Sequence, residues 1–183
     1  MSKRLLTPLS IAVAVAGVAL VSCSRNDGTE GAIVTRNDFE NVLGWGGNTD
    51  ASITTEQAHS GKYAIKVGAQ NEYGYTYIQT LGNMSTARVK KLTVSGWAWL
   101  PDKGATSQIV VSIAHSADKN SPVFYGSFAL PDEVKKYKSW QQISHTFTLP
   151  DSVQATNQLK CYLWRTSVNE TVYVDDLTLS VSN

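Results

Sequence analysis

The sequence predicts an all-β fold, an antiparallel sandwich or barrel forming a single domain, and three observations lead there. Apolar and polar residues alternate with strict period two along a series of short runs, the pattern of strands with one buried face. Clusters of Gly, Pro, Asn, Asp and Ser punctuate those runs. The only helical signal is a turn or two around Asp132 to Tyr137, so nothing bridges the strands in the way parallel sheets require.

The elements follow in order. Residues 1–22 begin with Lys3 and Arg4, continue as an apolar stretch from Leu5 to Val21, and end in Leu20-Val21-Ser22 before Cys23. A basic start, a short apolar core and small residues before a cut site read as a secretory signal peptide. Pro8 and Ser10 interrupt the roughly 20 apolar residues a membrane span needs. The end of this stretch resembles the lipobox of bacterial lipoproteins, which implies that Cys23 is lipidated. The resemblance implies a palmitate-type anchor in the cell envelope, at the outer membrane. Residues 23–33 then form the lipidated cysteine and a polar tether too poor in apolar residues to bury anything, leaving 34–183 as the domain.

Period-two runs fill that domain. They place Tyr63, Ile65 and Val67 on one face, then Leu92, Val94, Gly96, Ala98 and Leu100, then Ile109, Val111 and Ile113. Further runs give Phe147 and Leu149, Leu159, Cys161 and Leu163, and finally Leu177, Leu179 and Val181. Without Lys3 and Arg4 the remaining 14 basic residues face 15 acidic ones, a net charge of −1. That balance supplies no basic field for nucleic acid. With Cys23 lipidated, Cys161 has no disulfide partner, so stability must come from the core, helped by any bound metal.

Five segments together resemble the jelly-roll carbohydrate-binding modules of bacterial glycan-degrading enzymes. They are Asn37-Asp38-Phe39-Glu40 with Gly44-Trp45, Ala58-His59-Ser60-Gly61-Lys62-Tyr63 running on to Val67, Leu92 to Trp99, Trp140 to Pro150, and Val172 to Leu179. The resemblance spans nearly all of Val34 to Val181 and implies a jelly-roll β-sandwich. It also implies a structural calcium joining the first and last strands, held by Glu40 and Asp175 with Asp38 and Asp176 nearby. Calcium takes six to eight oxygens and accepts carboxylates mixed with carbonyls. Strand parity places Asp175 inward with Tyr173, Leu177 and Leu179, where a carboxylate needs a compensating cation. The alternative is that Asp175 pairs with a lysine or caps a turn, with Asp176 solvated. Trp45 and Trp140 resemble the scaffold tryptophans of these modules.

The same parity argument sends large aromatics outward. Trp97 and Trp99 oppose the core face of their strand, and Tyr162 and Trp164 oppose Leu159 and Leu163. If Ile78 faces in, Tyr75, Tyr77 and Gln79 face out. Sharing one sheet, these side chains would form a single patch, with Arg165, Lys160, Gln79 and Asn157 as hydrogen-bonding groups around it. Aromatic faces stack on the C–H faces of sugar rings, and they also anchor protein partners. The expectation is therefore non-catalytic binding of a polysaccharide or other glycan. The alternative is a structural or accessory subunit that turns this face to an envelope protein. His59, His115 and His145 lie in unrelated segments, and no close carboxylate pair, nucleophile elbow, phosphate loop or zinc signature appears, so the chain is not read as an enzyme.

Overall fold

The computed structural model describes residues 31–42, 50–119, 121–166 and 170–183. The signal peptide, Cys23, nearly all of the tether, and Trp45 lie outside the described residues. Among the described residues ten strands follow one another: β1 (Ala32–Asn37), β2 (Ile53–Thr54), β3 (Ala64–Val67), β4 (Tyr77–Thr80), β5 (Lys91–Trp99), β6 (Ser107–Ala114), β7 (Pro122–Ala129), β8 (Gln141–Thr148), β9 (Gln158–Arg165) and β10 (Val172–Ser182). β1 begins at Ala32, two residues before the domain boundary expected at residue 34.

The strands pair antiparallel into two sheets, the sandwich the alternation predicts. The larger sheet runs β2-β3-β10-β5-β8, with β1 added on β10, and the smaller runs β4-β9-β6-β7. β10 is the hub of the larger sheet. Its first residues pair with β3, its later ones with β1, and its other edge with β5. Between the sheets, Leu92, Val94, Ile143, Val174 and Leu179 meet Ile109, Val111, Ile113, Leu159 and Leu163, all buried. Full burial of each such side chain contributes about 1.5–3 kcal/mol.

Two local readings are corrected. The helical turn is α2 (Leu130–Glu133), preceded in the chain by a comparable turn, α1 (Leu81–Met84). It starts earlier than Asp132 to Tyr137 because Pro131 suits a first turn, where its missing N–H costs nothing. Val134 then returns to extended backbone and is buried. Strand β7 carries no visible alternation, because inward Gly126 is no more apolar than outward Tyr125.

The second correction is the parity of β10. A bulge between Asp175 and Thr178 puts Tyr173 opposite Trp99 and Asp175 opposite Trp97, on the outer face, while Leu179 sits opposite inward Val94. Asp176 takes the extra position at φ +51°, a left-handed conformation that Asp tolerates better than bulkier residues. Gly96 makes room for it. A Cβ there would lie 3.0 Å from the Asp175 carbonyl oxygen and 3.0 Å from Leu177 Cδ2.

Candidate functional site

The expected single patch divides between the two sheets. Tyr162 and Trp164 of β9 point outward on the smaller sheet, while Trp97 and Trp99 of β5 point outward on the larger one, on the opposite side of the molecule. The parity of both strands was read as the structure has it. What a single strand's alternation cannot carry is which sheet the strand joins.

On the smaller sheet two further tyrosines join Tyr162 and Trp164. Tyr73 forms an isolated bridge to Trp164, and Tyr125 comes from β7, opposite Ser112. The Tyr73 and Trp164 rings lie 6.2 Å apart and within 11° of parallel, and Tyr162 stands edge-on to Tyr73 at 5.9 Å. Tyr73 and Tyr125 are 51% and 52% exposed. Beneath them Val110 is fully buried although it lies opposite Tyr162 on this outer face, so the aromatics roof it. Partial burial, then the neighbouring Tyr125 and Tyr73 phenols, raise the Tyr162 pKa above the usual phenol value. Tyr73 and Tyr125 escaped the sequence reading because one lies outside a regular strand and the other in the strand without visible alternation.

The remaining patch candidates go elsewhere. Ile78, expected inward, is 51% exposed and lies opposite Lys160. Tyr77 instead opposes buried Cys161 and packs on the core, and Gln79 opposes buried Leu159. The Gln79 side-chain oxygen Oε1 accepts bonds from Thr80 N and Asn83 Nδ2. Tyr75 lines a crevice with Phe39, Tyr77, Ile78 and Leu177 rather than joining the patch. Arg165 pairs with buried Ser107, on the opposite face of β9 from Trp164. Buried Asn157 is occupied structurally, accepting from Gln154 N and donating to the His115 carbonyl. The Cys161 thiol is pushed up to about 12 by burial, which keeps it protonated and inert.

On the larger sheet the outward tryptophans are covered. His59 stacks on Trp97 at 3.9 Å with 12° between the planes, and Trp140 stands edge-on to His59 at 5.7 Å. Trp99 meets Tyr173 edge-to-face at 5.6 Å. The Tyr173 hydroxyl donates to Glu56 at 2.9 Å, and burial together with that bond pushes its pKa up to about 12. The Lys66 ammonium, bonded to the same carboxylate, is the main cause holding Glu56 below the usual carboxylate range. Beyond Trp97 this face is a groove of about 680 Å³, floored by hydroxyls of Thr93, Ser95, Ser144, Thr146 and Thr178.

The turn that covers Trp97 hangs from the acidic residues. Asp175 is fully buried, and its carboxylate accepts from His59 N at 2.8 Å, Ser60 N at 3.1 Å and Asp176 N at 2.7 Å. Asp176, far from being merely solvated, bonds His59 Nδ1 at 2.6 Å and Ser60 Oγ at 2.8 Å. From the other end of the chain, Glu40 accepts from Lys62 N at 2.6 Å and Tyr63 N at 2.7 Å. Asp38 accepts from Glu40 N at 3.1 Å, closing a local turn. Gly61 is needed between them: its φ is +56°, and a Cβ would fall 2.5 Å from Glu40 Oε1.

Among the described residues no three of His, Cys, Asp and Glu gather as a metal site. Glu40 and Asp175 bring carboxylates to the backbone amides of one turn, Asp176 reaches its side chains, and calcium would need carbonyls and water for most of its six to eight oxygens. Burial raises the Asp175 pKa despite the three amides, so its charge is costly where it stands.

No curated protein matches the chain. Among solved structures, the C-terminal family 22 carbohydrate binding module of Clostridium thermocellum Xyn10B superimposes with a TM-score of 0.53 at 10% identity, covering 85% of this chain and 98% of that one. The CBM22-2 xylan-binding domain of Paenibacillus barcinonensis Xyn10C gives 0.52 at 18% identity, covering 81% and 99%. The CBM22-1 domain of the same enzyme gives 0.51 at 16%, covering 84% and 97%. These likenesses speak to the fold. The carbohydrate-binding domain family profile matches residues 31–167, most of the chain and every aromatic residue of the smaller sheet's outer face. With that match added to the sandwich geometry, the chain belongs to the carbohydrate-binding domain family.

Proposed function

We propose that the protein binds glycan without catalysis through the outer face of its smaller sheet, using Tyr73, Tyr125, Tyr162 and Trp164. The observation that carries this reading is the cluster itself: four large aromatic rings on one sheet face, two of them half exposed. Exposed aromatic patches mark binding surfaces, and pyranose rings offer C–H faces that stack on π-faces. Trp164→Ala and Tyr162→Ala should each weaken retention in polysaccharide affinity gels by about five- to thirtyfold, that is about 1–2 kcal/mol, with unchanged melting. The panel should include xylan, which two of the structural neighbours are named for binding. Variants that melt far lower would make these rings core. A wild type retarded by no glycan would turn the face towards an envelope protein.

We further propose that Cys23 carries the lipid that holds the domain at the cell envelope, on the outer membrane. The support is the Leu20-Val21-Ser22-Cys23 ending of the apolar stretch. Labelled palmitate should enter the wild type and fail to enter Cys23→Ser, and equal membrane partition of both proteins would end this reading. A structural calcium beside Glu40 and Asp175 completes the proposal. Its support is the convergence of two carboxylates on one turn and the cost of an unpaired charge at Asp175.

A further inference from the structure

Glu72 is an acidic side chain bonded to the aromatic face, and its backbone is fixed there. Arg165 N donates to the Glu72 carbonyl at 2.9 Å, Gly74 N donates to the Leu163 carbonyl at 2.8 Å, and Tyr73 bridges Trp164 between them. The segment therefore lies along the edge of β9 at the level of Trp164. From it the Glu72 carboxylate accepts the indole N–H of Trp164 at 3.2 Å. An indole has a single donor, and a partly exposed ring otherwise turns about its last torsion within a broad, two-fold well. Tyr73 feels the same group: after partial burial, the charge of Glu72 and a hydrogen bond to it raise the phenol pKa. One carboxylate thus binds the indole of Trp164 directly and acts electrostatically on the phenol of its near-parallel neighbour.

We propose that Glu72 is the positioning residue of this face, holding Trp164 at the angle that keeps its ring parallel to Tyr73. The inference rests on the glycan-binding reading for its consequence, though not for its geometry. A flat sugar gains most from two rings that stand ready at one inclination, because the ordering of the site then precedes binding. Glu72 itself need not touch the ligand.

The test compares Glu72→Ala with Glu72→Gln, whose amide oxygen still accepts the indole N–H. In ¹H–¹⁵N spectra the Trp164 Nε1–H resonance should move and broaden in Glu72→Ala and stay near its wild-type position in Glu72→Gln. Affinity for a glycan that retards the wild type should fall about fivefold in Glu72→Ala and stay within about twofold in Glu72→Gln, with melting unchanged in both. An unmoved indole resonance in Glu72→Ala would overturn the proposal, and so would a Gln variant that falls as far as the Ala variant. A wild type that binds no glycan would instead remove the functional reading, while the indole resonance would still decide the role of Glu72.

Discussion

Asp175→Ala should lower the stability of the domain by about 3 kcal/mol or more, a fall of roughly 10 °C in melting temperature for a domain of this size. The carboxylate is fully buried and accepts three backbone amides, those of His59, Ser60 and Asp176. Alanine would leave all three donors without their acceptor at a site water reaches poorly, and each unsatisfied amide costs about 1–3 kcal/mol. The turn carrying His59 would also lose its main tie to β10, and with it the cover on Trp97. Thermal unfolding of the purified domain reads the effect, and a variant that melts like the wild type would sink the account. Repeating both curves with chelator tests calcium. A bound ion at a hundredfold excess over its dissociation constant adds about 2.7 kcal/mol. Chelation should therefore lower the wild-type melting temperature and leave Asp175→Ala unmoved. Protein shown to be metal-free whose melting ignores added calcium would remove the ion from the proposal.

Trp97→Ala should be nearly as damaging to stability and harmless to binding. Its ring is stacked under His59, and Trp140 stands edge-on to that histidine. Truncating a packed tryptophan costs about 3–5 kcal/mol. Because Trp97 belongs to the larger sheet, glycan affinity measured on the folded fraction should match the wild type. Parity alone led to the reverse expectation, a binding loss with an intact fold. A Trp97→Ala protein that melts normally but loses glycan retention would restore the sequence-based patch and put the binding surface on the wrong sheet here.

That contrast shows what residue patterns carry and what they omit. The alternation in Leu92 to Leu100 correctly placed Trp97 and Trp99 away from the core, because period two is a property of one strand. Whether β5 and β9 share a sheet depends on pairings between segments dozens of residues apart, and no local pattern encodes them. Tyr77 failed for another reason: a run of Tyr75, Tyr77, Ile78 and Gln79 is amphipathic in either register, and the choice is made by contact with Cys161 and Leu159. In β10 the alternation itself breaks at Asp176, where one inserted residue turns Tyr173 and Asp175 to the outside. Glu40 and Asp175 were singled out through family resemblance, and they do reach a common turn. The bonds they make there, to amides of His59 to Tyr63, are set by the three-dimensional path.

The central place of β10 also has a kinetic consequence. β1, β3 and β5 all take their partner from Val172–Ser182. Until that segment is available, the larger sheet consists of β2–β3 and β5–β8 pairs with nothing joining them, and isolated pairs are marginal in water. Closing the chain from β1 to β10 spans most of its length, an entropic cost that delays folding. A nascent chain would thus leave the larger sheet open until β10 emerges. The same arrangement makes a chain cut short before Val172 lose the partner of three strands at once, and such a product should be a substrate for proteases rather than a smaller working domain.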